Sequence, residues 1–100
     1  MTQRETTQVR KPIMDWLKKN GWKVWKNAAS AFSEVGLPDV MAIRDGVFVC
    51  IETKLPGEKP TALQAKWLRD AAKQGAQLAV SANSLSDLKV YFDEAGIEWA

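Results

Sequence analysis

Asp45-Gly46 stands between two apolar runs, Asp39–Arg44 and Val47–Lys54, and no other stretch of the chain constrains the fold as tightly. Asp-Gly tolerates the positive φ that both central positions of a two-residue turn require, so the segment predicts a β-hairpin. A two-residue loop also sets the register: facing residues have numbers that sum to 91. Arg44 then faces Val47, Ile43 faces Phe48, Met41 faces Cys50 and Asp39 faces Glu52. Alternation puts Asp39, Met41, Ile43, Phe48, Cys50, Glu52 and Lys54 on one face. Val40, Ala42, Arg44, Val47, Val49, Ile51 and Thr53 take the other. Both faces are largely apolar, which predicts strands covered on two sides.

The elements around the hairpin follow from periodicity and punctuation. Val9, Ile13, Trp16 and Leu17 recur at helical spacing before Asn20-Gly21, which predicts a helix over 4–20. Pro12 should kink that helix or mark a late start. Trp22–Lys26 alternates and predicts a short strand, while 27–38 reads as a loop. After Pro56, Gly57 and Pro60, Thr61 and Gln64 form a T-x-x-Q capping box that opens a helix running to about Gln74. Ala76–Ala82 is the next strand, Ser84–Ala95 a second amphipathic helix, and Ile97–Trp99 a short edge strand. The order predicts one α/β domain over residues 1–100, a mixed central sheet with helices on both faces.

Asp39 and Glu52 raise the chemical question. Directly opposed side chains lie roughly 4.5–5.5 Å apart at Cβ, where like charges repel. Two carboxylates facing each other in a covered hairpin call for a shared proton or a divalent cation between them. A longer or bulged turn, leaving both at solvent-exposed ends, is the competing explanation. Lys54 lies on the same face as Glu52. Two carboxylates beside an ammonium suit metal-assisted phosphodiester hydrolysis, because Mg²⁺ takes oxygen ligands and lowers the pKa of water. Lysine in turn stabilises charge developing on phosphate.

Composition narrows the alternatives. The chain contains no histidine, which excludes histidine-dependent triads and histidine-ligated zinc. Its single cysteine, Cys50, allows no internal disulfide and is expected to be a buried small hydrophobe in a reducing, cytoplasmic setting. No apolar run approaches the roughly 20 residues of a membrane span, and no signal peptide is expected at the N-terminus. Residues 1–26 carry seven Lys and Arg against two acids, Glu5 and Asp15. This segment, with Arg4, Arg10 and Lys11, is a candidate phosphate contact. Lys66, Arg69 and Lys73 along the helix that Thr61 opens are another, although each group also reads as a solvated helix face. The five tryptophans are expected mainly in the core, with Trp22 and Trp25 open to stacking on unpaired bases.

Pro38-Asp39 followed by Glu52-Thr53-Lys54 resembles the signature of the PD-(D/E)xK nuclease superfamily. Gly36-Leu-Pro-Asp39, the hairpin, Ile51-Glu-Thr-Lys54, and Gln64 and Gly75 on the following helix resemble the virus-type replication-repair nuclease (VRR-NUC) family over nearly the whole chain. The resemblance implies a restriction-endonuclease-like core in which Asp39, Glu52 and the Thr53 carbonyl hold Mg²⁺ or Mn²⁺ and Lys54 is the catalytic lysine. It matches Gln64 to a glutamine near the site, a role that coexists with capping. It matches Glu5 to an N-terminal metal-binding glutamate, and the i, i+4, i+8 spacing of Glu5, Val9 and Ile13 places Glu5 on the inward stripe. Glu34, just before the Gly-Leu-Pro-Asp loop, is the competing acid.

By the same resemblance the chain is a structure-selective DNA endonuclease, acting as a homodimer on four-way junctions in bacterial or phage-infected cells. Two other functions compete: a non-catalytic nucleic-acid-binding module that retains the fold, and a sequence-specific restriction-type subunit. The first has no use for opposed carboxylates, and the second has no separate recognition module in a chain this short.

Overall fold

The structure is a computed structural model that describes residues 4, 6–27 and 35–100. The hairpin forms in the expected register, with β2 (Val40–Arg44) and β3 (Val47–Thr53) antiparallel and Val40 opposite Ile51, Met41 opposite Cys50, and Arg44 opposite Val47. Asp45 and Gly46 adopt φ of 50° and 80°, as a two-residue turn between right-twisted strands requires. β1 (Lys23–Lys26) pairs antiparallel with β2, Trp25 opposite Met41. β4 (Leu78–Ala82) pairs parallel with β3, Cys50 opposite Ala79 and Glu52 opposite Ser81. The sheet is therefore mixed, in the order β1-β2-β3-β4.

The two faces of the hairpin meet different helices. Val40, Ala42, Val49 and Ile51 join Ile13 and Leu17 of α1 (Lys11–Lys19) and Leu88 and Phe92 of α3 (Leu85–Glu94) in the larger core. Met41 and Cys50 pack under Leu68 of α2 (Ala62–Lys73), with Leu37, Phe48, Trp67 and Ala79 around them. Asp39, Glu52 and Lys54 share the face that α2 covers, as the alternation predicts.

Pro12 does not break the first helix. Thr6–Arg10 forms a π-helical turn that runs directly into α1, with Pro12 in the first turn of the regular part, where a missing N–H costs least. Val9, Ile13 and Leu17 are all fully buried, so the inward stripe holds across the change of pitch. The capping box on α2 also forms: Thr61 Oγ1 accepts from the Gln64 N–H, and Gln64 Oε1 accepts from the Thr61 N–H. Cys50 is buried, and that burial pushes its thiol up to about 11.

One expected element is absent: Ile97–Trp99 is not a strand. The Arg44 guanidinium takes the carbonyls of Glu98 and Trp99 at 2.7 and 3.0 Å, and the Ile97 N–H closes back on Phe92 O at 2.9 Å. Ile97 and Trp99 pack against the larger core instead. Trp16 and Trp22 join that core as well, whereas Trp25, stacked on Phe48, is 37% exposed.

Candidate active site

Four residues predicted from sequence come together where β2 begins and β3 ends. Asp39 immediately precedes β2, and its N–H donates to Glu52 Oε1 at 3.3 Å, one step beyond the last ladder pair. The Asp39 carboxylate is held by Thr53: Oδ1 accepts from the Thr53 N–H at 2.8 Å and Oδ2 accepts from the Thr53 hydroxyl. Lys54 Nζ lies 3.8 Å from Glu52 Oε2. Asp39 and Glu52 are 5% and 3% exposed and the Lys54 side chain 15%, so the charges interact with little solvent screening. The longer-turn explanation is thereby excluded, since neither carboxylate sits at a solvent-exposed end.

Burial is the main influence on Glu52, followed by a hydrogen bond between its carboxyl and the Asp39 side chain and by charge repulsion with Asp39. Together they push its pKa up to about 8 despite the opposing pull of Lys54 and of the Asp39 backbone N–H. A carboxyl that retains a proton to such a pH marks a position with too much negative charge for its surroundings. The donors there are all oxygen, without thiolate or imidazole, which fits a hard divalent cation. Among the described residues no third acid completes a cluster. Glu5 and Glu34, the sequence candidates for one, lie outside the described residues. Thr53, expected to offer its carbonyl, is seen through its N–H and hydroxyl, which orient Asp39.

Among the described residues Gln64 makes no hydrogen bond to the cluster; its Oε1 belongs to the capping box. The Asp39 loop nevertheless sits against that turn of α2. Gly36 has φ +83°, and a β-carbon there would lie 2.6 Å from Leu63 O and 3.1 Å from Gln64 N. The candidate phosphate contacts lie on separate helices: Arg10 and Lys11 lead into and begin α1 on one sheet face, while Lys66 and Arg69 belong to α2 on the other. Arg4 and Arg69 are exposed. Lys11 pairs with Asp15 and Lys66 with Asp70, each at 2.7 Å on the surface, where such pairs are weak enough to open for a phosphate. Three residues that the sequence reading did not single out also stand at this end of the sheet. They are Ser81, level with Glu52 on β4, and Asn27 and Asn83, which follow β1 and β4. Parallel pairing has no turn to betray its register, so the position of β4 could not be counted out as the hairpin was.

The chain is similar to known nucleases. A solved structure named "VRR_NUC domain" superposes with a TM-score of 0.73 at 23% identity, covering 92% of this chain and 97% of that one, which establishes the fold. A family model described as "Archaeal holliday junction resolvase (hjc)" matches residues 1–72. A search of curated proteins finds no match. The mixed sheet with its flanking helices is the fold of a PD-(D/E)xK nuclease. Within that superfamily the chain belongs to the Hjc family of Holliday junction resolvases.

Proposed function

We propose that this protein is a divalent-cation-dependent endonuclease that cuts the phosphodiester backbone of branched DNA, with four-way junctions its substrate and a homodimer its active form. The observation that carries this reading is the buried Asp39–Glu52 pair with Thr53 locking one carboxylate and Lys54 beside the other. The family model supports the junction, and two copies of one site suit the two strands that must be cut to resolve a junction under C₂ symmetry.

Asp39, Glu52 and the Thr53 carbonyl would hold Mg²⁺ or Mn²⁺, with Glu5 a candidate further ligand. A bound cation would offset phosphate charge and make water a stronger acid. Thr53 fixes the Asp39 carboxylate through two hydrogen bonds, so its oxygens do not have to reorganise during reaction. Glu52 would lose the proton its raised pKa retains where a cation is held, and bind the cation as a carboxylate. Lys54, held 3.8 Å from Glu52, orients the attacking water and stabilises charge developing on the phosphate. Gln64 approaches from the first turn of α2, and Arg4, Arg10, Lys11, Lys66 and Arg69 meet flanking phosphates.

Purified protein incubated with junction, flap, single-stranded and linear duplex DNA, with and without Mg²⁺ or Mn²⁺, tests the reading. Cation-dependent cleavage of the junction is expected. Lys54→Ala and Asp39→Asn should each lower the rate by about 10²-fold or more while junction binding persists. Binding without cleavage by the wild-type chain would favour a non-catalytic module. Sequence-dependent cutting of plain duplex would favour a restriction-type enzyme.

A further inference from the structure

We propose that Asn83 is a positioning residue for Lys54, and that Asn27 does the same for Asp39; this rests on the nuclease reading above. Each asparagine is the first residue after an outer strand, Asn27 after β1 and Asn83 after β4. Because β1 runs antiparallel to β2 and β4 parallel to β3, both strands deliver their asparagine to the end of the sheet that holds Asp39 and Lys54.

That end is where ladder pairing runs out. The Lys54 N–H still bonds Ala82 O at 3.0 Å, but the chain then leaves the sheet, and carbonyls beyond a strand end need other donors. Asn83 supplies them: its Nδ2 lies 3.1 Å from Leu55 O, 3.4 Å from Lys54 O and 3.5 Å from Glu58 O. Its own N–H is anchored on Asp87 Oδ2 at 3.0 Å, and the Asp87 N–H is in turn held by Ser84 Oγ at 3.0 Å in the cap of α3. On the other side, the Asn27 N–H donates to Asp39 O and its Nδ2 to Pro38 O, both at 2.8 Å. Asn83 thus grips the chain at Lys54 and Leu55 through its carboxamide NH₂, while Asn27 grips Asp39 through its backbone N–H and the adjoining Pro38 through its carboxamide.

The chemistry makes asparagine the fitting choice. Lysine carries its ammonium on a flexible four-carbon stem, so its useful position depends on where the backbone is held. Aspartate has the shape of asparagine but offers only acceptors when ionised, and would turn three attractions at Asn83 into repulsions. A displacement of about 1 Å at a reacting group is enough to cost about 10²-fold in rate.

The test compares Asn83→Asp and Asn27→Asp with Asn20→Asp. Asn20 also donates its amide to a backbone carbonyl, Trp16 O at 2.8 Å, but at the C-terminal end of α1. In metal-free protein, hydrogen exchange should quicken at the Lys54 and Glu58 amides in Asn83→Asp and at the Asn27 amide in Asn27→Asp, with the Asp45-Gly46 turn unchanged. On junction DNA both variants should lose about tenfold or more in kcat with KM within about twofold, while Asn20→Asp retains its kcat. If Asn83→Asp fails to fold, Asn83→Ala deletes the donor without adding charge and should show the same split. Unchanged exchange at Lys54 and Glu58, or a kcat loss that Asn20→Asp shares, overturns the proposal. A wild-type chain that cuts no DNA with any cation overturns the nuclease reading, a result separate from the exchange measurement.

Discussion

Glu52 is the residue at which stability and chemistry conflict. Its ordinary carboxyl value is 4.5 and its folded value about 8, so between those pH values the folded chain holds a proton that the unfolded chain releases. Stability then falls as pH rises from about 4.5 to about 8 and levels off above, because the native state binds more protons than the unfolded one. Glu52→Gln keeps the size and removes the titration. In chelator-treated protein the variant should gain on wild type as pH is raised, by about 1 kcal/mol or more at pH 9, measured by urea denaturation at several pH values. A difference that does not vary with pH would show that Glu52 titrates normally. On the proposed function, a cation bound there would displace the same proton, so calorimetry should record proton uptake by the buffer when Mg²⁺ is added near pH 7. Asp39 and Glu52 were legible in the sequence because a two-residue turn makes register a matter of counting. Asn83 was not, since a single asparagine after a strand carries no mark in the sequence of what it touches.

At the scale of elements, the Gly36–Asp39 loop and the start of α2 form one unit. Gly36→Ala would strain a φ of +83° and drive its β-carbon to 2.6 Å from Leu63 O, a backbone atom inside a capped helix turn. It should cost about 2–4 kcal/mol and displace Asp39, lowering cleavage further. Gly57→Ala carries a similar φ of +87° with nothing near its β-carbon, so only about 1 kcal/mol from strain is expected. Equal losses in the two variants would mean that the loop is not docked on α2. Thr61 and Gln64 allow a parallel separation of roles. Thr61→Ala should lose about 1 kcal/mol of helix capping, whereas Gln64→Glu keeps the reciprocal cap and should hold stability while changing the charge near the site. A fall in kcat for Gln64→Glu alone would assign Gln64 a part in the chemistry. The capping box was readable because it is local, three residues apart. The π-helical turn before Pro12 was not, because periodicity over one turn does not distinguish pitches.

Across the whole molecule the two ends of the sheet do different work. At one end the chain leaves the ladder and the buried carboxylates of Asp39 and Glu52 lie side by side with Lys54. At the turn end Arg44 binds everything together: Nη1 donates to Asn20 O at 2.8 Å and Trp99 O at 3.0 Å, Nη2 donates to Glu98 O at 2.7 Å, and the guanidinium lies 4.9 Å above the Trp22 ring. One side chain thus joins the end of α1, the hairpin and the final residues. This explains why Ile97–Trp99 did not become the strand its composition suggests: long-range capture by Arg44 outweighs local β propensity, and nothing within a short window reveals a partner more than 50 positions away. Arg44→Lys retains the charge but loses the planar fork that reaches three carbonyls, and should cost about 2–3 kcal/mol in chemical denaturation. Exchange should rise at the Ile97 amide, whose bond to Phe92 O depends on that docking. At a temperature where the variant is still folded, kcat on junction DNA should match wild type, because the residues around Asp39 and Lys54 are braced from β1 and β4. Loss of kcat in the folded variant would mean that strain at the turn travels along the hairpin to the carboxylates, so that the two ends form one mechanical unit.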